Sequence, residues 1–413
     1  MCHLNRVAFH FFEQMQQTIP INPDMLRWAR VEAGYSLSDA ATCARISSPR
    51  KKKNEPELTA VDRLADWENG KDTPSLNQLE QLASAYKRPL ITFFLPKPPE
   101  KIVTVPDFRT LGDRATPADS PKFSALRRKL AILHRELCDL SKDVGITKLP
   151  FVGSLSEETP VAEFVENIRH VIGVTAEDQR RVKNSDELLK HLRAAAQKAG
   201  IYVLFVGNLG SHHTNVSVDE FRGIAFANDL APMVVINPND TKAAQVFTFI
   251  HELAHLWLGS SGISSFNALG TSTGDSSKEK LCNRIAAEFL VPEADLMAVW
   301  KPCEETLNQA VNTIAKRFKV SGAVIGRRLL DFSIISNDEY SKLLAIYLAR
   351  WKKTKEGQPK SSGAPKPEIL DRFRLGEKTI HTFISAAQAG RIGFQDAARL
   401  MNIPVSRFDK VMQ

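Results

Sequence analysis

His251 and His255 lie four residues apart, with Glu252 directly after the first of them. On a helix this spacing puts both imidazoles on one face, where they can reach a single zinc ion at about 2.0–2.1 Å. Glu252 leans over the same edge and can take a proton from a metal-activated water, the chemistry of amide-bond hydrolysis. A catalytic zinc needs a third protein ligand and an open position, and Glu279 is the best candidate for that ligand. Asn283, one turn beyond Glu279, is placed to orient a ligand histidine from behind. Glu288 competes with Glu279, but its spacing turns it to a different face of the same helix.

Both helices are legible around these residues. Asn239, Asp240 and Thr241 offer N-caps, and Ala243, Val246, Phe247, Ile250, Leu253, Ala254 and Trp257 recur at helical spacing until Gly259 offers a stop. A second helix is expected over 277–290. Three apolar β-like runs, 201–206, 223–227 and 233–236, predict a small sheet. Amphipathic spacing predicts a helix over 121–143, and further helices are expected over 161–172 and 186–199. Short helices are expected over 23–33, 38–46, 60–68 and 76–86, punctuated by Gly34, Asn69-Gly70 and Pro74. Six prolines between Pro96 and Pro121 mark a connector. Residues 351–367, rich in Lys, Pro, Gly and Ser, predict a flexible linker before short helices over 380–389, 394–401 and 405–412.

The chain has 413 residues, 43% apolar and 25% charged, enough for two or three folded domains and without the polarity of a disordered chain. Lys plus Arg exceed Asp plus Glu by 55 to 47, a formal charge of +8 that is compatible with a polyanionic partner. Much of the excess sits in two tracts, 50–53 and 350–355. The five cysteines, Cys2, Cys43, Cys138, Cys282 and Cys303, are scattered and never form C-x-x-C. That pattern, with no apolar run of membrane-spanning length and no signal-peptide pattern, predicts a cytoplasmic protein that does not enter a membrane.

From about residue 100 to 335 the chain resembles the ImmA/IrrE family of zinc metallopeptidases. The resemblance rests on Asp107-Phe108-Arg109-Thr110, Glu220-Phe221-Arg222-Gly223, Phe247 to His255, and Glu279 to Pro292. It implies His251, His255 and Glu279 as zinc ligands and Glu252 as catalytic base. Cys282 departs from the family, which usually has Ala there; a buried small hydrophobe is its expected role. The strand over 223–227 precedes the histidine helix, as does the edge strand of related zincins that pairs with an extended substrate. His212 and His213 fall in a loop after the first strand, and no oxyanion stabiliser is evident.

Residues 26–35 and 64–98 resemble an Xre-type helix-turn-helix domain, through Trp67-Glu68-Asn69-Gly70, Thr73-Pro74-Ser75-Leu76 and Leu79-Glu80-Gln81-Leu82-Ala83. The resemblance implies double-stranded DNA as a partner of residues 20–98. The helix expected to read bases, 58–68, offers Thr59 and Arg63 against Asp62, Asp66 and Glu68. A loop with Arg50, Lys51, Lys52 and Lys53 would supply phosphate contacts.

The expected architecture is α+β and mostly helical. A helix-turn-helix domain (20–98) and a helical connector (99–185) would precede a zincin-like peptidase domain with a small sheet (186–335), and a linker (351–367) and a C-terminal helical module (368–413) would follow it. The expected function is a DNA-associated regulator whose zinc endopeptidase cuts a partner repressor or antitoxin-like protein, with homodimerisation left open. The alternative is a transcriptional repressor or antitoxin, of the kind encoded beside a toxin, that uses the peptidase fold as a non-cleaving platform.

Overall fold

The structure is a computed structural model, and it describes residues 21–48, 58–99, 120–264, 277–301, 306–356 and 365–412. Among these, no helix is long and apolar enough to cross a membrane. The chain divides into two compact units, one reaching to about residue 102 and one built mainly from residue 126 onward.

The first unit contains helices α1 (Pro23–Glu32), α2 (Leu37–Cys43), α3 (Ala60–Glu68) and α4 (Leu76–Tyr86), then a 3-10 turn at Leu90–Phe94. Asn22, Ser36, Thr59 and Ser75 cap the four helices, each accepting from a backbone N–H of the first turn. Leu26, Leu64, Trp67, Leu82, Tyr86 and Phe93 form its core. Glu68, expected as a surface charge, is instead 4% exposed and accepts two hydrogen bonds from Arg30, at 2.7 and 2.9 Å. A carboxylate taken out of water needs such a forked partner.

The second unit is α+β, mostly helical around one small sheet. The sheet has four strands, β1 (Tyr202–Phe205), β2 (Gly223–Phe226), β3 (Met233–Ile236) and β4 (Gly262–Ser264), in the order β1-β3-β2-β4. β1 runs parallel to β3, while β2 is antiparallel to both β3 and β4. The three expected strands are all present, and β4 is added. With it β2 is an interior strand: Gly223 pairs with Ile236 on one side and Ser264 on the other.

The helices of this unit are α5 (Pro121–Asp143), α6 (Val161–Ile172), α7 (Ala176–Arg181), α8 (Ser185–Lys198), α9 (Lys242–Trp257), α10 (Ser277–Leu290), α11 (Glu293–Val299), α12 (Leu307–Phe318), α13 (Gly322–Asp331), α14 (Asn337–Glu356), α15 (Pro367–Leu375), α16 (Glu377–Gln388), α17 (Phe394–Leu400) and α18 (Val405–Met412). α9 lies at the centre, with every residue from Gln245 to Trp257 buried. Its core partners include Phe164 and Ile168 of α6, Leu192 of α8, Val203 of β1, Ile285 and Phe289 of α10, and Phe318 of α12. α6 therefore shares the core of the sheet-bearing fold rather than forming a separate connector. Its apolar stripe is wide enough to be buried only against another element.

The C-terminal helices also join this unit. Phe373 of α15 lies 5.1 Å from Phe205 of β1, ring to ring, and Thr382 of α16 bonds the Tyr202 hydroxyl at 3.2 Å. β1 is an edge strand, and the two helices cover it, one way in which sheets avoid open edges. α14 runs to Glu356, six residues into the expected linker, because neither Gly nor Pro interrupts Trp351 to Glu356.

A candidate metal centre

Thr241 caps α9 by accepting from the Ala244 N–H, and Gln245 ties the helix start to the carbonyls of Pro238 and Asp240. Gly259 then adopts φ +62°, a left-handed turn that ends the helix. The chain folds back at once: the Ser260 N–H donates to the His255 carbonyl at 3.0 Å, and Ser260 Oγ sits 3.1 Å from His255 Nδ1. A hydroxyl that accepts from Nδ1–H leaves the Nε2 lone pair free for a ligand. Ser260 was not foreseen; its only signal is a hydroxyl five residues past the second histidine, just beyond a glycine stop.

α9 and α10 bring the expected ligands together. His251 Nε2 and His255 Nε2 are 3.1 Å apart. Glu279 reaches both, with Oε2 3.2 Å from His251 Nε2 and Oε1 3.1 Å from His255 Nε2. All three residues are buried, and this is the group among the described residues whose atoms converge as a metal site's do. Tetrahedral bonds of about 2.0–2.1 Å put ligand atoms roughly 3.3–3.4 Å apart. The observed spacings are close to that, and two imidazoles with one carboxylate are a donor set suited to zinc. The residues fit the ion.

The electrostatics follow from burial and mutual contact. Burial drives both imidazoles toward neutrality, and for His255 it prevails, lowering its pKa. For His251 the same burial is outweighed by Glu279, with help from Glu252 and Asn283, and its pKa is raised. Burial alone would raise the Glu279 carboxyl, but the facing histidines hold it well below the usual carboxylate range. Asn283 stands on the turn of α10 after Glu279. Cys282 is fully buried and burial pushes its thiol well up, the state of an inert core residue. Glu288 points away and pairs with Arg328.

Glu252 is 0% exposed beside His251. β2 makes room for it: a Cβ on Gly223 would lie 2.6 Å from both Cγ and Cδ of Glu252. A side chain there would displace the glutamate or the strand, so the glycine of the Glu220 to Gly223 run makes room for Glu252 in this position. The neighbouring Arg222 forms an ion pair with Asp240, tying the start of β2 to the turn before α9. The Asn237 side chain donates to the Phe221 carbonyl at 3.1 Å in the same corner.

Other expected residues are placed differently. His213 is exposed on a 3-10 turn at His212–Thr214. In the first unit, the Thr59 hydroxyl and the Asp62 carboxylate form a capping box. Arg63 donates to the Ser47 carbonyl at 3.2 Å and lies over the Trp67 ring. Both expected base-reading side chains are thus engaged within their own unit. Arg50, Lys51, Lys52 and Lys53, like Asp107 to Thr110, lie outside the described residues.

No curated protein and no solved structure matches the chain. Residues 196–330, which span the four strands, α9 and α10, match a peptidase family model, Peptidase_M78, described as the IrrE N-terminal-like domain.

Proposed function

We propose that the second unit is a zinc-dependent endopeptidase that hydrolyses a peptide bond in a partner repressor or antitoxin-like protein. The observation that carries the reading is the convergence of His251, His255 and Glu279 beside the buried Glu252. The match to a peptidase family model across this region supports it. His251, His255 and Glu279 hold the ion, which when bound supplies a Lewis acid that polarises the scissile carbonyl and makes a water acidic. The Glu252 carboxylate takes a proton from the attacking water and passes it to the leaving amine nitrogen as the C–N bond breaks. Ser260 and Asn283 hold the two rings in the orientation the ligands need.

Residues 20–98 give the same chain its association with DNA, a reading supported by the helix-turn-helix resemblance, with which the whole chain's formal charge of +8 is compatible. A second reading is a repressor or antitoxin that grips its partner without cutting it. It draws on the enclosure of the site, where His251, Glu252, His255 and Glu279 are all 6% exposed or less.

The test uses the full chain, zinc-loaded, incubated with the protein encoded beside it. Wild type cleaves it, and Glu252→Gln keeps its zinc and does not. Cleavage by Glu252→Gln at the wild-type rate contradicts the assignment of the base, and a biological response that survives the substitution selects the second reading.

A further inference from the structure

A groove of about 660 Å³ opens along α10, within the usual size range of ligand and peptide pockets. Phe247, Ala287 and Val324 give it an apolar part, and Lys280, Arg284, Arg327, Arg328, Glu288, Glu293 and Asp331 its charges. Most of these charges are already matched. Arg328 pairs with Glu288, and Arg327 bonds Asp331 at 2.9 Å.

Lys280 and Arg284 differ. They stand one helical turn apart, both exposed, and neither has an ion-pair or hydrogen-bond partner among the described residues. Glu293 is the single lining acid left to face them. α6 contributes its first residues, Val161 and Ala162, and although Pro160 offers no side-chain cap, Glu163 in the first turn offsets the positive helix end at this wall. Asn283, on the turn of α10 after Glu279, lines the groove, while His251, Glu252, His255 and Glu279 do not.

We infer that this groove binds an acidic, partly apolar peptide segment, and that the substrate carries such a segment near its scissile bond. The first part stands on the groove alone, and the second rests on the endopeptidase reading. Unmatched cations beside apolar surface favour carboxylate side chains alternating with apolar ones, and they select against basic sequences by repulsion.

The test separates the two parts. Full-length Glu252→Gln protein is titrated at low salt with a fluorescent octapeptide of alternating glutamate and leucine, and with its lysine counterpart. The acidic peptide binds and the lysine peptide does not. Lys280→Glu with Arg284→Glu weakens the acidic peptide by about tenfold or more, as reversal of two contacting charges does. Both positions are exposed, and an unchanged circular dichroism spectrum and zinc content establish that this variant is folded. Equal binding to the folded double variant, or preference for the lysine peptide, overturns the inference. So does displacement of the acidic peptide by inorganic phosphate at equal concentration, which would make the groove a phosphate site. His255→Ala serves as the control on the other reading: peptide binding that persists there while zinc is lost keeps the groove distinct from the fate of the metal centre.

Discussion

Glu252 is held in place by a residue that does no chemistry. Its carboxylate fits beside His251 only because position 223 lacks a Cβ, so Gly223→Ala must move either the glutamate or β2. The expected outcome is zinc retained, cleavage lost, and a stability cost of about 1–3 kcal/mol from overpacking, read by metal analysis, a cleavage assay and denaturant unfolding. Full activity in Gly223→Ala would show that the glutamate has another seat. At this scale the sequence was most readable. His251 and His255 were legible because helical spacing determines which side chains share a face, while the choice of Glu279 on a second helix leaned on the family resemblance. Ser260 was not, because its position depends on how the chain turns back after Gly259. The surroundings of Arg63 were not legible either: a sequence places a guanidinium on a helix but does not show the Trp67 ring and Ser47 carbonyl beside it.

Among the elements, α9 and α10 were legible to within a residue, since caps and periodicity are local. β4 was not. It has three residues, and it exists because β2 offers an unpaired side, a fact about the fold rather than about residues 262–264. The ends of α10 and α12 depend on one side chain that sequence reasoning passed over. Gln179, 2% exposed, donates to the carbonyls of Leu290 at 2.7 Å and Phe318 at 3.1 Å. Gln179→Leu leaves those carbonyls without their donor and is expected to destabilise the protein by roughly 2–4 kcal/mol in chemical denaturation, at about 1–3 kcal/mol for each unsatisfied buried group. A change below about 0.5 kcal/mol, typical of an ordinary surface substitution, would show that the two helix ends are held by packing alone.

For the whole molecule, the division into segments was the least legible feature. A Lys- and Pro-rich stretch suggested that the C-terminal helices stand apart, yet Phe373 and Thr382 place them on β1. Composition reports solubility of a segment and not what it covers. Stability should depend on pH through His134, whose ring is held against the Ala231 carbonyl at 3.0 Å and whose pKa burial lowers from 6.5 to about 4. The unfolded chain binds this proton more readily, so the contribution is complete above pH 6.5 and is lost as pH falls from there toward 4. His134→Gln should flatten that part of the pH–stability curve, and an unchanged slope would contradict the burial. The central claim, that His251, His255 and Glu279 hold a metal ion, is tested most directly by elemental analysis of the purified full chain. Wild type is expected to carry about one zinc per chain and His255→Ala close to none. A folded wild type that stays metal-free in the presence of zinc, or a His255→Ala protein that holds as much as wild type, would contradict it.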